Sequence, residues 1–319
     1  MKINLLMILM LLSSLGFTQQ SQISKQTAAL NKEIFKIIKK QSLFSSQMNW
    51  NEIENENKVL PFQNNDSINQ QIIFDFYTQK LRAVGDKHSF FISTQKINEL
   101  NQTPAAEAPQ GEYLGDGIGW IKVPRCLTFD DAKDLEFANT IRYIIEKIDQ
   151  ENTIEGWIVD LRHNTGGNMW PMLAGLNALI DDGIAGYFVK GKSKTAWQNN
   201  NGKISGKSQV ISSYKIKNNK VKIAVLIDGR TGSSGEMTAV SFLGLPNVKS
   251  FGQTSAGYIT ANQTHQLSNG AQLLLASTYV MDRTGKSYKD EIVPDVVVAD
   301  LSNTKDDEVV KAAKKWILE

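Results

Sequence analysis

The chain is poor in the residues that most often decide function on their own. It holds one cysteine, Cys126, and three histidines, His88, His163 and His265, in 319 residues. A single thiol excludes an internal disulfide. Cys126 lies in Val123-Pro124-Arg125-Cys126-Leu127 with no glycine turn around it, so it reads as a packing residue. The histidines lack metal-ligand spacing, and neither a metal nor another cofactor is expected. A formal net charge of +2 leaves no footprint for nucleic acid. No internal repeat is apparent. The apolar run from Leu5 to Leu12 falls well short of the roughly 20 residues a membrane span takes.

That short run has a different meaning. Lys2 precedes it, and the small residues Gly16 and Thr18 follow it, just before Gln19. This is the layout of a signal peptide over residues 1–18, which implies an exported protein, periplasmic or secreted. An uncleaved anchor is the alternative. No cysteine sits nearby to carry a lipid.

What the chain does contain is three glycine-marked turns. In the first, the strand-like Val221 to Asp228 stops in Gly229-Arg230-Thr231-Gly232-Ser233-Ser234-Gly235-Glu236-Met237, and a helix-like segment opens at once. A serine between a buried strand and a helix is exposed among backbone N–H groups, as acyl transfer requires. Ser233 or Ser234 as a plain helix cap, with Glu236 nearby, is the competing reading. In the second, Gly85-Asp86-Lys87-His88-Ser89 follows a helical pattern from Ile68 to Leu81 and offers a neutral imidazole to activate a hydroxyl. In the third, Trp157-Ile158-Val159-Asp160-Leu161-Arg162-His163-Asn164-Thr165-Gly166-Gly167-Asn168-Met169 again runs from strand to glycine pair to helix. The N–H groups of Gly166 and Gly167 could face a developing oxyanion.

Taken in this order, the motifs resemble those of the tail-specific (C-terminal processing) serine peptidases, the family of tricorn and of the nisin resistance proteins. The resemblance spans about Ile68 to Val298 and takes in Gly252-Gln253-Thr254-Ser255-Ala256-Gly257 and Pro294-Asp295. It implies Ser233 as nucleophile, His88 as general base, an oxyanion hole from Ser234 with Gly166 or Gly167, and substrate binding at Asn168 and Met169. The third catalytic member would be an acid, with Glu291 ahead of Asp290 and Asp86. Bacterial members pair serine with a lysine after the glycine of the G-x-x-T-x-G segment. Here that place holds Tyr258.

The alternation of strands and helices supports an α/β chain. The resemblance implies a crotonase-like, spiral ββα peptidase core over residues 93–319. An N-terminal helical region over 19–92 carries the histidine turn. No PDZ domain is expected, since little chain separates Phe91 from Gly117. Two alternatives stand beside a peptidase acting on peptide or protein tails. An α/β-hydrolase esterase would need His265 as its base, because that fold places the histidine after the serine. A non-catalytic ligand-binding protein on the peptidase fold is the other.

Overall fold

The structure, a computed structural model, describes residues 23–102, 107–127, 130–299 and 306–319. The signal peptide expected at 1–18 lies outside the described residues. Among those described, no helix is long and apolar enough to cross a membrane.

Three helices come first: α1 (Lys25–Gln41), α2 (Trp50–Asn57) and α3 (Asp66–Ala83). Then follow β1 (Phe90–Ile92), α4 (Thr94–Gln102), β2 (Gln110–Tyr113), β3 (Ile118–Lys122), α5 (Asp131–Glu151), β4 (Gly156–Asp160) and α6 (Met169–Gly175). The middle of the chain forms β5 (Gly183–Lys190), β6 (Ser193–Asn200), β7 (Lys203–Ile204), β8 (Ser208–Gln209), β9 (Lys222–Ile227) and α7 (Ser234–Phe242). The last elements are β10 (Val248–Gly252), β11 (Ala261–Gln266), β12 (Gln272–Asp282), β13 (Ser287–Tyr288), β14 (Val296–Val297) and α8 (Glu308–Leu318).

One sheet has the order β14-β10-β9-β4-β3-β2. All its neighbours are parallel except the edge pair β2–β3. Its central strands are covered on both faces, which is why β9 reads as continuous apolar sequence. Trp157, Val159, Ile223 and Val225 point into a core shared with α5, α6 and α7. Ile158, Ala224 and Leu226, one residue out of phase, meet Val309, Val310, Ala313 and Ile317 of α8 on the other face. The period of two along each strand is thus used twice.

The second sheet runs β1-β12-β5-β6-β7-β8, with β11 and β13 also paired to the long β12. The N-terminal helices belong to it. Leu30, Ile34 and Ile38 of α1 and Ile73, Tyr77 and Leu81 of α3 share one apolar cluster with Leu273 and Leu275 of β12. The helical region is thus packed on strands from the far end of the chain.

Two of the helices form in polar sequence: α2, whose one buried anchor is Ile53, and α4, which runs to Gln102.

Candidate active site

The serine turn and the DLR turn leave the carboxyl ends of neighbouring parallel strands, β9 and β4. Such crevices are where open α/β sheets bind ligands. Asp228 ties the two turns together. Its Oδ1 accepts from the N–H groups of His163 (3.0 Å), Arg230 (3.0 Å) and Thr231 (2.9 Å). The Thr231 hydroxyl donates to the Leu161 carbonyl at 2.9 Å, and the Gly232 N–H donates to the Asn164 carbonyl at 2.9 Å. The turns also touch closely. A Cβ on Gly235 would lie 2.5 Å from the Asn164 carbonyl oxygen, and one on Gly166 would lie 2.8 Å from Ser233 Cβ. Glycine is required at both places for want of space. Arg162, buried between Asp160 and Asp307, anchors the DLR turn to the start of α8.

Ser233 has φ of +54° and ψ of −119°, a left-handed conformation that a non-glycine residue adopts only under constraint. The constraint is visible. Its N–H donates to Glu236 Oε2 at 2.8 Å. The other oxygen, Oε1, accepts from Ser255 Oγ (2.5 Å) and the Gly257 N–H (2.9 Å). Glu236 is wholly buried. Burial pushes its carboxyl up to about 7, against the opposing pull of these hydrogen bonds. So the residue that looked like half of a capping box also clamps the serine turn to the 255–258 segment.

Ser234 begins α7. Its hydroxyl donates to the Gly167 carbonyl at 2.5 Å, joining the two glycine-rich turns. Of the N–H groups expected to bind an oxyanion, that of Gly166 is engaged. It donates to Asn164 Oδ1 at 2.9 Å inside the protein. Gly166 therefore drops from the expected donors, and the N–H groups of Gly167 and Ser234 remain. Gly167 is exposed to solvent.

His88 arrives from the other sheet, in the turn between α3 and β1. Its Nδ1 lies 2.7 Å from the Thr260 carbonyl oxygen and 3.2 Å from Thr260 Oγ1. A carbonyl can only accept, so Nδ1 carries the proton and Nε2 keeps its lone pair. Desolvation lowers the imidazole pKa from its ordinary value, while the Thr260 bond pulls the other way. The ring is neutral at pH 7.

Of the acids expected to orient it, Asp86 does other work. Asp86 is buried and accepts from the N–H groups of His88 (3.0 Å) and Ser89 (2.9 Å), and from Ser89 Oγ (2.5 Å). It shapes the turn rather than holding the ring. Glu291 and Asp290 are exposed, and the partner expected of them is the Thr260 carbonyl instead. A backbone carbonyl leaves no mark in a sequence, so no pattern could have announced it. Tyr258, at the family's lysine position, places its ring 5.7 Å from that of His88.

His88, Ser233 and Ser234 line one open cleft of about 690 Å³, together with Gly167, Asn168 and Met169. Its apolar wall includes Phe90, Leu127, Trp170, Phe188 and Leu274. Asn168 is half-buried, and its side chain is already used. It donates to Asp134 Oδ2 at 2.7 Å and accepts from the Trp170 N–H at 3.1 Å, opening α6. Cys126 lies at the cleft, buried. His163 is elsewhere, its Nε2 3.1 Å from Asp228 Oδ2. His265 lies on β11 and does not line the cleft.

A strand–serine–helix turn beside a second glycine turn, on a parallel sheet, is a hydrolase architecture of the serine type. The family follows from the chain as a whole. Residues 117–298 match the model of peptidase family S41. The chain is 37% identical over 258 residues to the nisin-resistance protein of Lactococcus lactis subsp. lactis, covering 80% of this chain and 78% of that protein. A lipoprotein from Streptococcus agalactiae has a similar structure, with a TM-score of 0.75 at 28% identity, over 93% of this chain and 98% of that one. The photosystem II D1 C-terminal processing protease shares the fold, with a TM-score of 0.59 at 10% identity, over 86% and 94% of the two chains. The protein belongs to peptidase family S41, the tail-specific serine peptidases. The esterase reading, which needed a different fold and His265, is thereby set aside.

Proposed function

We propose that the protein cleaves peptides or proteins near their C-terminus with a serine–histidine pair rather than a serine–lysine pair. The observation that carries this reading is the hydrogen bond from His88 Nδ1 to the Thr260 carbonyl, in the cleft that Ser233 lines. It leaves Nε2 as a lone-pair base. Ser233 Oγ attacks the scissile carbonyl while His88 Nε2 takes its proton. The tetrahedral oxyanion is held by the N–H groups of Gly167 and Ser234, with the partial positive charge at the start of α7 behind it. The proton passes from His88 to the leaving amine, and water then releases the acyl group by the reverse sequence. Tyr258 in place of the lysine favours the histidine. The core would be crotonase-like and without a PDZ domain, so the cleft itself must recognise the tail. Similarity to a nisin-resistance protein and to a lipoprotein supports export.

The test has two arms. Activity is followed in His88→Ala and in Lys87→Ala, since Lys87 is the lysine in the same cleft. Loss in the second variant alone makes the base a lysine. Separately, one peptide is presented with a free C-terminus, amidated, and extended by several residues. Equal cleavage of all three at the same internal bond makes the protein a general endopeptidase.

A further inference from the structure

A second cavity, of about 440 Å³, adjoins the DLR turn. It shares two wall residues, Thr165 and Leu127, with the catalytic cleft. Its lining is cationic: Lys122, Arg125, Arg162, His163 and Arg230 against the single acid Glu107. Most of this charge is already answered. Lys122 Nζ is 3.6 Å from Glu107 Oε1, His163 faces Asp228, and Arg162 is buried between two aspartates. Arg125 and Arg230 are different. Both are exposed, and neither guanidinium has a carboxylate partner among the described residues. Two unanswered guanidinium forks at one cavity suit a planar anion that each can bind through two N–H groups.

Position supplies the second argument. Thr165 is the residue before Gly166, whose Cα abuts Ser233. One residue of extended peptide spans about 3.3–3.6 Å. A group in this cavity would therefore belong to a peptide residue only a few positions from the scissile bond. We propose that the cavity is an anion subsite of the peptidase, in which Arg125 and Arg230 hold a carboxylate of the bound peptide. The carboxylate is either the free C-terminus or an Asp or Glu side chain. The inference rests on the peptidase reading and extends it to a substrate class: peptides carrying negative charge close to the cleaved bond.

Three peptides with one scissile sequence test this: amidated and neutral, neutral with a free C-terminus, and amidated with one glutamate. Kinetics are measured for the wild type, for Arg125→Gln/Arg230→Gln and for Arg125→Glu/Arg230→Glu. Both positions are exposed, so the variants should fold. The wild type should favour at least one carboxylate-bearing peptide over the neutral one by about 10- to 100-fold in kcat/KM, mainly through KM. Which of the two gains identifies the source of the charge. The glutamine variant should bring that ratio close to one, and the glutamate variant should invert it. Raising the salt should narrow the wild-type ratio. Equal KM values for all three peptides overturn the proposal. So does a ratio that survives in the glutamine variant, which would assign the preference to Lys87 or Arg82 in the main cleft. Binding of the same labelled peptides to Ser233→Ala, by fluorescence anisotropy, separates the two readings. An arginine-dependent rank order there, with no hydrolysis by the wild type, keeps the subsite and removes the peptidase assignment.

Discussion

The two halves of the proposed catalytic pair are built in opposite ways. Ser233 sits on a turn whose neighbours are close in space and cross-linked at short range. Asp228, Thr231, Asn164 and Glu236 hold it from both flanks within one sheet. His88 is delivered from the N-terminal helical region, on the other sheet. It is placed by long-range contacts: β1 pairing with β12, Asn262 Nδ2 donating to the His88 carbonyl at 3.0 Å, and the Thr260 carbonyl on its ring. The serine turn is prepared locally, and the histidine turn depends on pairing with segments far along the chain. Changes near the serine should therefore act on the chemistry while the fold stands. Changes near the histidine should act on both.

The sharpest way to break the comparison is Ser233→Ala. Peptide hydrolysis should fall to background while the thermal transition moves little, since the side chain is small and Glu236 is held by backbone N–H groups. An unchanged rate in a peptide assay would remove Ser233 as nucleophile.

Next in size is His88→Ala, expected to cost about 10²- to 10⁴-fold in kcat. The pH dependence carries the sign. Burial lowers the imidazole pKa, and only the neutral ring can accept the proton. Activity should thus persist below pH 6.5, the ordinary value, and disappear as falling pH protonates the ring. An acid limb well above 6.5 in the kcat/KM profile would contradict the environment described for His88.

Ser234→Ala should fall between the extremes. Its hydroxyl holds the Gly167 carbonyl, so the loss is about one neutral hydrogen bond, roughly 0.5–1.5 kcal/mol, or up to about tenfold in kcat. Ser234→Thr should recover part of it if the geometry admits the extra methyl. A loss as large as that of Ser233→Ala would reopen which serine attacks.

The smallest effect is expected from Glu291→Ala. It should change kcat less than about twofold, because the ring nitrogen is held by a carbonyl and not by this exposed acid. A hundredfold loss would restore an acid as third member.

Much of the parallel sheet was legible because its signals are local. The apolar run of β9 and the DLR strand β4 are each a short stretch of consecutive side chains that ends in a glycine-marked turn. Ser233 and the glycine pair were legible for a related reason: a turn that must reverse in a few residues beside another backbone leaves glycines in the sequence. The donors and acceptors that complete the site were not. Glu236 reads as a cap until Ser255 and Gly257 are seen on its other oxygen. Asn168 reads as a ligand position, and only the fold shows its amide also bonded to Asp134.

What the sequence by itself determined is therefore the family and the strand-to-helix turns, with Ser233 and His88 as the candidate pair. Each is written in side chains and their spacing along a short stretch of chain. What only the tertiary structure decided is which nitrogen of His88 is free, which glycine N–H is already engaged, and that Arg125 and Arg230 have no carboxylate partner among the described residues. These depend on backbone carbonyls and on contacts between distant segments, as between His88 and Thr260, 172 residues apart. A backbone carbonyl is common to every residue, so only folding can assign it a partner.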